Sequence, residues 1–129
     1  MQIGMIGLGR MGANMAGRLM KAGLACVVQD TRADAVAALC AQGAVGAASF
    51  EELASRMTQP RAVWLMVPAG AVDAVIEQLA PHLDSGDIVI DGGNSYYRDD
   101  VRSAKQLAAR GLHHVDVGTS GGVASAERG

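Results

Sequence analysis

Short apolar runs alternate with helix-period patterns along the whole chain, and this alternation restricts the fold more than any other feature. Residues 2–6, 24–29, 61–67, 87–90 and 112–117 read as strands, with a weak short strand at 44–47. Residues 11–22, 33–42, 71–83 and 97–110 read as helices, and a further helix opens at Ser49 and runs to about Arg56. Met11, Met15, Leu19 and Ala22 share one face of the first helix, and Gly23 closes it. Gly43 and Gly111 close two others in the same way. Ser49 with Glu52 three residues on forms a capping-box pattern. Val72, Val75, Ile76, Leu79 and Leu83 mark the inner face of the helix at 71–83, where Pro81 distorts the last turn or ends the helix early. The run at 61–67 is the most apolar and belongs at the centre of a sheet. Strands alternating with helices of this length imply right-handed βαβ crossovers and an open parallel sheet, with strand order 3-2-1-4-5-6. The expected fold class is α/β, a Rossmann-type doubly wound parallel sheet in one domain spanning residues 1–129.

Composition agrees with this. A chain of 129 residues, half of them apolar, can bury one real core but not two. With one Trp, one Phe and two Tyr, that core is built from aliphatic side chains, as suits helices packed on a parallel sheet. The 17 glycines are neither periodic nor clustered in a tract, so neither collagen nor a flexible linker accounts for them. A net charge of −2 and a pI near 5.8 leave no electrostatic footprint for nucleic acid. No apolar stretch approaches the roughly 18 residues of a membrane span. No basic region precedes the first apolar run, and Arg10, Arg18 and Lys21 interrupt the residues after it, so a signal peptide is not expected. Cys26 and Cys40 lack metal or redox spacing and read as small, buried or half-buried apolar residues in a reducing cytoplasm.

Gly7-Leu8-Gly9-Arg10-Met11-Gly12 has the spacing G-x-G-x-x-G, follows the first strand and opens the first helix, which is the context this motif requires. Gly7 permits the tight turn, Gly9 lets backbone approach a pyrophosphate, and Gly12 lets helix and strand pack closely. The helix start offers N–H groups and partial positive charge to that pyrophosphate. Asp30 ends the second strand 18 positions after Gly12, near the interval at which an acidic residue receives the adenosine ribose hydroxyls. A carboxylate there repels a 2′-phosphate and favours NAD over NADP. Thr31 and Arg32 complete this corner. Arg32 could pair with such a phosphate, but its preferred reading is an ordinary solvated side chain.

Ligands of an open α/β sheet bind beyond the carboxyl ends of its strands. Small, polar, turn-forming residues gather at those ends: Val67-Pro68-Ala69-Gly70, Asp91-Gly92-Gly93-Asn94-Ser95 and Gly118-Thr119-Ser120-Gly121-Gly122. Asn94 can donate and accept at once and could hold a substrate hydroxyl beside a nicotinamide, or form an Asx-turn. Ser120, Gly121 and Gly122 could present successive N–H groups to an anion, or form a mobile loop. His113 and His114 open the last strand, at the opposite end from this rim.

Residues 7–15 (Gly-Leu-Gly-Arg-Met-Gly-Ala-Asn-Met), 91–95 and 118–123, in this order and spacing, resemble the 6-phosphogluconate dehydrogenase family across nearly the whole chain. The related 3-hydroxyisobutyrate dehydrogenase group shares the glycine loop and the Ser-Gly-Gly, but typically has Ser-Thr where this chain has Gly93-Asn94-Ser95. The resemblance implies oxidation of 6-phosphogluconate at C3 by hydride transfer to a nicotinamide, loss of carbon dioxide, and protonation of the enediol to ribulose 5-phosphate. It implies that Asn94 acts in catalysis by holding substrate and nicotinamide, and that Ser120, Gly121 and Gly122 contact the substrate. It places Gly7, Leu8, Gly9, Arg10, Met11, Gly12, Asp30, Thr31, Arg32, Val67, Pro68, Ala69 and Asn94 at the cofactor. Asp30 stands where NADP-using members carry Asn, again favouring NAD. No metal is implied.

Two departures accompany the resemblance. Ala124-Ser125 replaces the family's usual Trp-Gly after the Ser-Gly-Gly-Val. The family's general-base lysine and its acidic partner lie in a helical domain further along, whereas Lys21 and Lys105 here read as solvated helix residues. The expectation is a cofactor domain that is inactive alone, from an enzyme whose full-length relatives are homodimers. A domain of a 3-hydroxyisobutyrate-type dehydrogenase, or a stand-alone NAD-binding or redox-sensing module, are the other readings.

Overall fold

The computed structural model describes residues 2–92 and 107–116. Six strands form one all-parallel sheet: β1 (Gln2–Ile6), β2 (Ala25–Gln29), β3 (Val45–Gly46), β4 (Ala62–Leu65), β5 (Ile88–Asp91) and β6 (His113–Asp116). Their spatial order is β3-β2-β1-β4-β5-β6, the expected 3-2-1-4-5-6. The helices are α1 (Arg10–Lys21), α2 (Ala33–Cys40), α3 (Phe50–Ser55) and α4 (Val72–Leu79). The helix expected at 97–110 lies largely outside the described residues.

Alternation along the strands divides the core in two. Ile6, Val27, Val63, Leu65 and Val89 face Leu53, Val72, Ile76 and Leu79 from α3 and α4. Ile3, Met5, Cys26, Val28 and Trp64 face Met15, Ala16, Leu19 and Leu39 from α1 and α2. Being covered on both faces, the central strands β1, after Gln2, and β4 read as apolar runs.

Local signals explain the element ends. At the end of α1 the Leu24 N–H donates to the Leu19 carbonyl and the Gly23 N–H to that of Met20, with Gly23 at φ +96°. That is a Schellman closure, in which a left-handed residue must follow the cap. The Ser49 hydroxyl accepts from the Glu52 N–H at 3.1 Å, and the Glu52 carboxylate reaches back to the Ala48 N–H. The capping box therefore closes one residue earlier than its usual form. α4 stops at Leu79 and a 3-10 turn over Ala80–His82 carries Pro81, because proline cannot supply the N–H that another α turn needs.

Three expectations are corrected. The buried stripe of α1 is Gly12, Met15, Ala16 and Leu19. Met11 is exposed because it lies in the first turn at the cavity rim, and Ala22 is exposed as the cap, while Met15 and Leu19 between them keep the expected face. Cys40 is exposed at the end of α2, while Cys26 is buried. Burial pushes the Cys26 thiol pKa up, so it behaves as a small apolar residue. Finally, β4 spans four residues rather than seven.

Candidate functional site

A cavity of about 690 Å³ opens at the carboxyl ends of β1, β2, β4 and β5. Gly7, Gly9, Arg10, Met11, Gly12, Asp30, Thr31, Arg32, Val67 and Pro68 all line it, so the structure brings together most of the expected cofactor residues. Leu8 sits beneath it with its side chain in the core, and Ala69 begins a 3-10 turn beside it. Asn94, Ser120, Gly121 and Gly122 lie outside the described residues. The sequence reading missed Ile6, Gln29, Phe50, Met66, Ala71 and Val75, which complete the lining together with Gly92 of the expected rim segment. Helical spacing marks Val75 only as an inner-face residue. Phe50, the first residue of α3, is placed by the tertiary fold alone.

The three loop glycines are required for different reasons. Gly7 has φ +94°, and a Cβ there would lie 2.7 Å from the Met66 carbonyl oxygen. A Cβ on Gly12 would collide with the Gly7 carbonyl oxygen. Both positions are fixed by the protein's own backbone. Gly9 differs, because it has φ −65° and a Cβ there would meet nothing within 4 Å. Nothing in the folded chain demands glycine at Gly9, and the open space it faces is the cavity.

Gly9 is also the N-cap of α1, which has neither a side-chain cap nor an acidic residue in its first turn. A helix start of this kind leaves N–H donors and partial positive charge directed at the cavity.

Asp30, at the end of β2, is bound into the same loop. Its Oδ2 accepts from the Leu8 N–H at 2.6 Å. Its Oδ1 accepts from the Arg32 N–H at 2.9 Å, from Arg32 Nε at 3.3 Å and from the Thr31 hydroxyl at 3.4 Å. Arg32 Nη2 in turn donates to the Leu8 carbonyl at 2.9 Å. Arg32, expected to be an ordinary solvated side chain, therefore closes a ring with Asp30 and Leu8 while remaining 57% exposed. Burial pushes the Asp30 carboxyl up, but the N–H groups of Arg32 and Leu8, then the Arg32 guanidinium, outweigh it and hold the group below the ordinary aspartate value. The site thus presents an ionised carboxylate at neutral pH.

Beneath the cavity, the buried Trp64 indole N–H donates to Met66 Sδ at 3.0 Å. A Cβ on Gly92 would collide with the indole nitrogen, so the residue after β5 must be glycine for the tryptophan to fit. His113 and His114 open the edge strand β6, at the opposite end of the strands from the glycine loop. Among the described residues no group of His, Cys, Asp or Glu could hold a metal ion, and no helix is long and apolar enough to cross a membrane.

A parallel sheet in this order, with an uncapped helix start and an acidic strand end at one cavity, defines an NAD(P)-binding domain of the Rossmann type. Comparison with known proteins is more specific: the profile of the NAD binding domain of 6-phosphogluconate dehydrogenase matches residues 2–129, and the chain belongs to that family. A Haloferax volcanii relative, an NAD(+)-dependent, decarboxylating 6-phosphogluconate dehydrogenase, is 48% identical over 130 residues, covering 100% of this chain and 42% of the relative. A Bacillus subtilis relative, NADP(+)-dependent and decarboxylating, is 41% identical over 133 residues, covering 99% and 28%. The Plasmodium falciparum 6-phosphogluconate dehydrogenase, solved with NADP+ and with 6-phosphogluconate, superposes with a TM-score of 0.86 at 32% identity, covering 98% of this chain and 28% of that one. The chain spans less than half the length of each.

Proposed function

We propose that this chain binds NAD in preference to NADP and forms the cofactor-binding part of a decarboxylating 6-phosphogluconate dehydrogenase. The observation that carries the proposal is Gly9, a glycine that the fold does not need, beside an uncapped helix start and facing the cavity. In this reading the α1 N-terminus holds the pyrophosphate and Asp30 receives the adenosine ribose. Phe50, Val67, Pro68, Ala71 and Val75 supply the apolar wall. When bound, NAD would supply the hydride acceptor for oxidation of the sugar acid. Asn94 would position that substrate and Ser120, Gly121 and Gly122 would contact it, and the general base would come, as the family resemblance implies, from a helical domain further along.

The test is calorimetric titration of the chain and of Gly9→Ala with NAD. The substitution is expected to leave the melting temperature unchanged, since its Cβ meets no protein atom. It is expected to weaken NAD binding at least about tenfold, equivalent to roughly 1.4 kcal/mol. Undiminished affinity in the variant would remove the pyrophosphate assignment. Oxidation of 6-phosphogluconate but not 3-hydroxyisobutyrate by the full-length enzyme checks the substrate.

A further inference from the structure

Among the described residues, Arg32 is the one cation in contact with Asp30, and it is spent on the protein itself. Its Nε is on Oδ1 of Asp30 and its Nη2 is on the Leu8 carbonyl. Leu8 therefore takes part twice, donating its N–H to Asp30 and accepting from Arg32 through its carbonyl. The ring joins the end of β2 to the glycine loop through one backbone unit. It also loads the two carboxylate oxygens unequally. Oδ1 accepts from three donors, while Oδ2 accepts from one. A carboxylate oxygen has about two acceptor positions, so the capacity left for a ribose hydroxyl lies on Oδ2.

We infer that Arg32 is a specificity-determining residue that acts by self-capture: locked onto Asp30 and the Leu8 carbonyl, it keeps Oδ2 aimed at a ribose hydroxyl and is withheld from a 2′-phosphate. The inference rests on the cofactor reading above and assigns the selectivity within it to one side chain. A 2′-phosphate at this corner would face the Asp30 carboxylate, and recruiting Arg32 would break both of its hydrogen bonds to the ring. A 2′-hydroxyl needs neither change. Arg32 here is a positioning residue for NAD and not a ligand of NADP.

The experiment is titration with NAD and NADP of the chain, Arg32→Ala, Arg32→Gln, Asp30→Asn and the Asp30→Asn/Arg32→Ala double variant, each checked by thermal melting. In Arg32→Ala, NAD binding is expected to weaken about fivefold, in keeping with one partly exposed ion pair, while NADP binding stays at its wild-type level. Arg32→Gln, which can still donate to the Leu8 carbonyl, should recover part of the NAD affinity. In Asp30→Asn the freed arginine should tighten NADP binding by about tenfold or more, a gain the double variant should lose. The pH dependence of NAD binding gives a readout that a merely structural role would not move. Without the guanidinium the Asp30 pKa rises, so the acid loss of affinity in Arg32→Ala should set in at higher pH. A selective loss of NADP binding in Arg32→Ala would show that the arginine already serves the phosphate and would overturn the inference, as would unchanged NAD affinity. Wild-type chain that binds neither cofactor would overturn the cofactor reading, and the inference with it.

Discussion

Two aspartate–arginine pairs stand at opposite ends of the parallel strands, and they do different things with the same chemistry. At the cavity rim, Asp30 and Arg32 are neighbours in sequence, with the arginine 57% and the carboxylate 10% exposed. At the opposite end, Arg61 enters β4 and Asp87 enters β5, with side chains 14% and 1% exposed. Asp87 accepts from the Arg61 N–H at 2.7 Å, from Arg61 Nη1 at 2.9 Å and from the Asp84 N–H at 2.8 Å. Arg61 Nε donates to the Ala54 carbonyl at 2.9 Å, and Arg61 Nη1 also reaches Asp84. Every one of these contacts is internal, and all but the one to Asp84 Oδ2 are at least partly buried. The lower pair joins the starts of β4 and β5 to a helix end, whereas the upper pair keeps capacity for a ligand. Burial, and neither residue type nor the number of partners, separates a structural pair from a candidate recognition pair.

The comparison breaks most directly at the lower pair. Asp87→Ala would leave the half-buried Arg61 and two backbone N–H groups short of their acceptor. The expected loss is about 3 kcal/mol or more, measurable by urea unfolding. NAD affinity of the fraction that stays folded should not change. A loss below about 1 kcal/mol would place the lower pair in the same class as the upper one.

A smaller effect sharpens the contrast within the glycine loop. Gly12→Ala forces a methyl group onto the Gly7 carbonyl. Its expected cost is about 2 kcal/mol, in line with overpacking elsewhere. Gly9→Ala, by contrast, should lose almost no stability. Equal melting temperatures for these two variants would show that the loop yields more readily than its backbone contacts imply.

The sheet order and the cavity's location were legible in the sequence because both follow from short-range pattern. Strand–helix alternation dictates parallel pairing, and the glycine spacing marks the end of β1. Asp30 was legible by its interval from Gly12. The ring it forms was not, because Leu8 and Arg32 are 24 positions apart and meet only when β1 and β2 lie side by side. The same applies to Arg61 and Asp87, which were not singled out at all. A signal was present, since a charged residue stands immediately before each of two apolar strands. It becomes a pair only once β4 and β5 are known to be neighbours. Met11 was misplaced for a more local reason: it shares a face with the buried Met15 and Leu19, but it sits in the first turn, where the helix emerges at the cavity rim.

The smallest expected effect concerns pH. Asp87, like Asp30, is held below the ordinary aspartate value. Burial pushes it up, but the N–H groups of Arg61 and Asp84 and the Arg61 guanidinium outweigh that. A depressed carboxyl stabilises the fold above its unfolded pKa of about 3.9 and loses that contribution as pH falls through the folded value. Stability measured between pH 6 and pH 3 should therefore fall less steeply in Asp87→Asn than in wild type. Asp30→Asn should flatten the curve less and cost at most about 1 kcal/mol at neutral pH, since its partner is solvated. A larger change from Asp30→Asn would reverse the ranking of the two pairs.

Trp64 gives these measurements a convenient optical handle. It is the chain's single tryptophan, and it is buried with its indole bonded to Met66, a residue of the cavity wall. Its emission comes from one known place, so unlabelled protein can report on unfolding and cofactor titration alike. A spectral shift on adding dinucleotide would register at the cavity wall, while a red shift on denaturation would register loss of the core behind it.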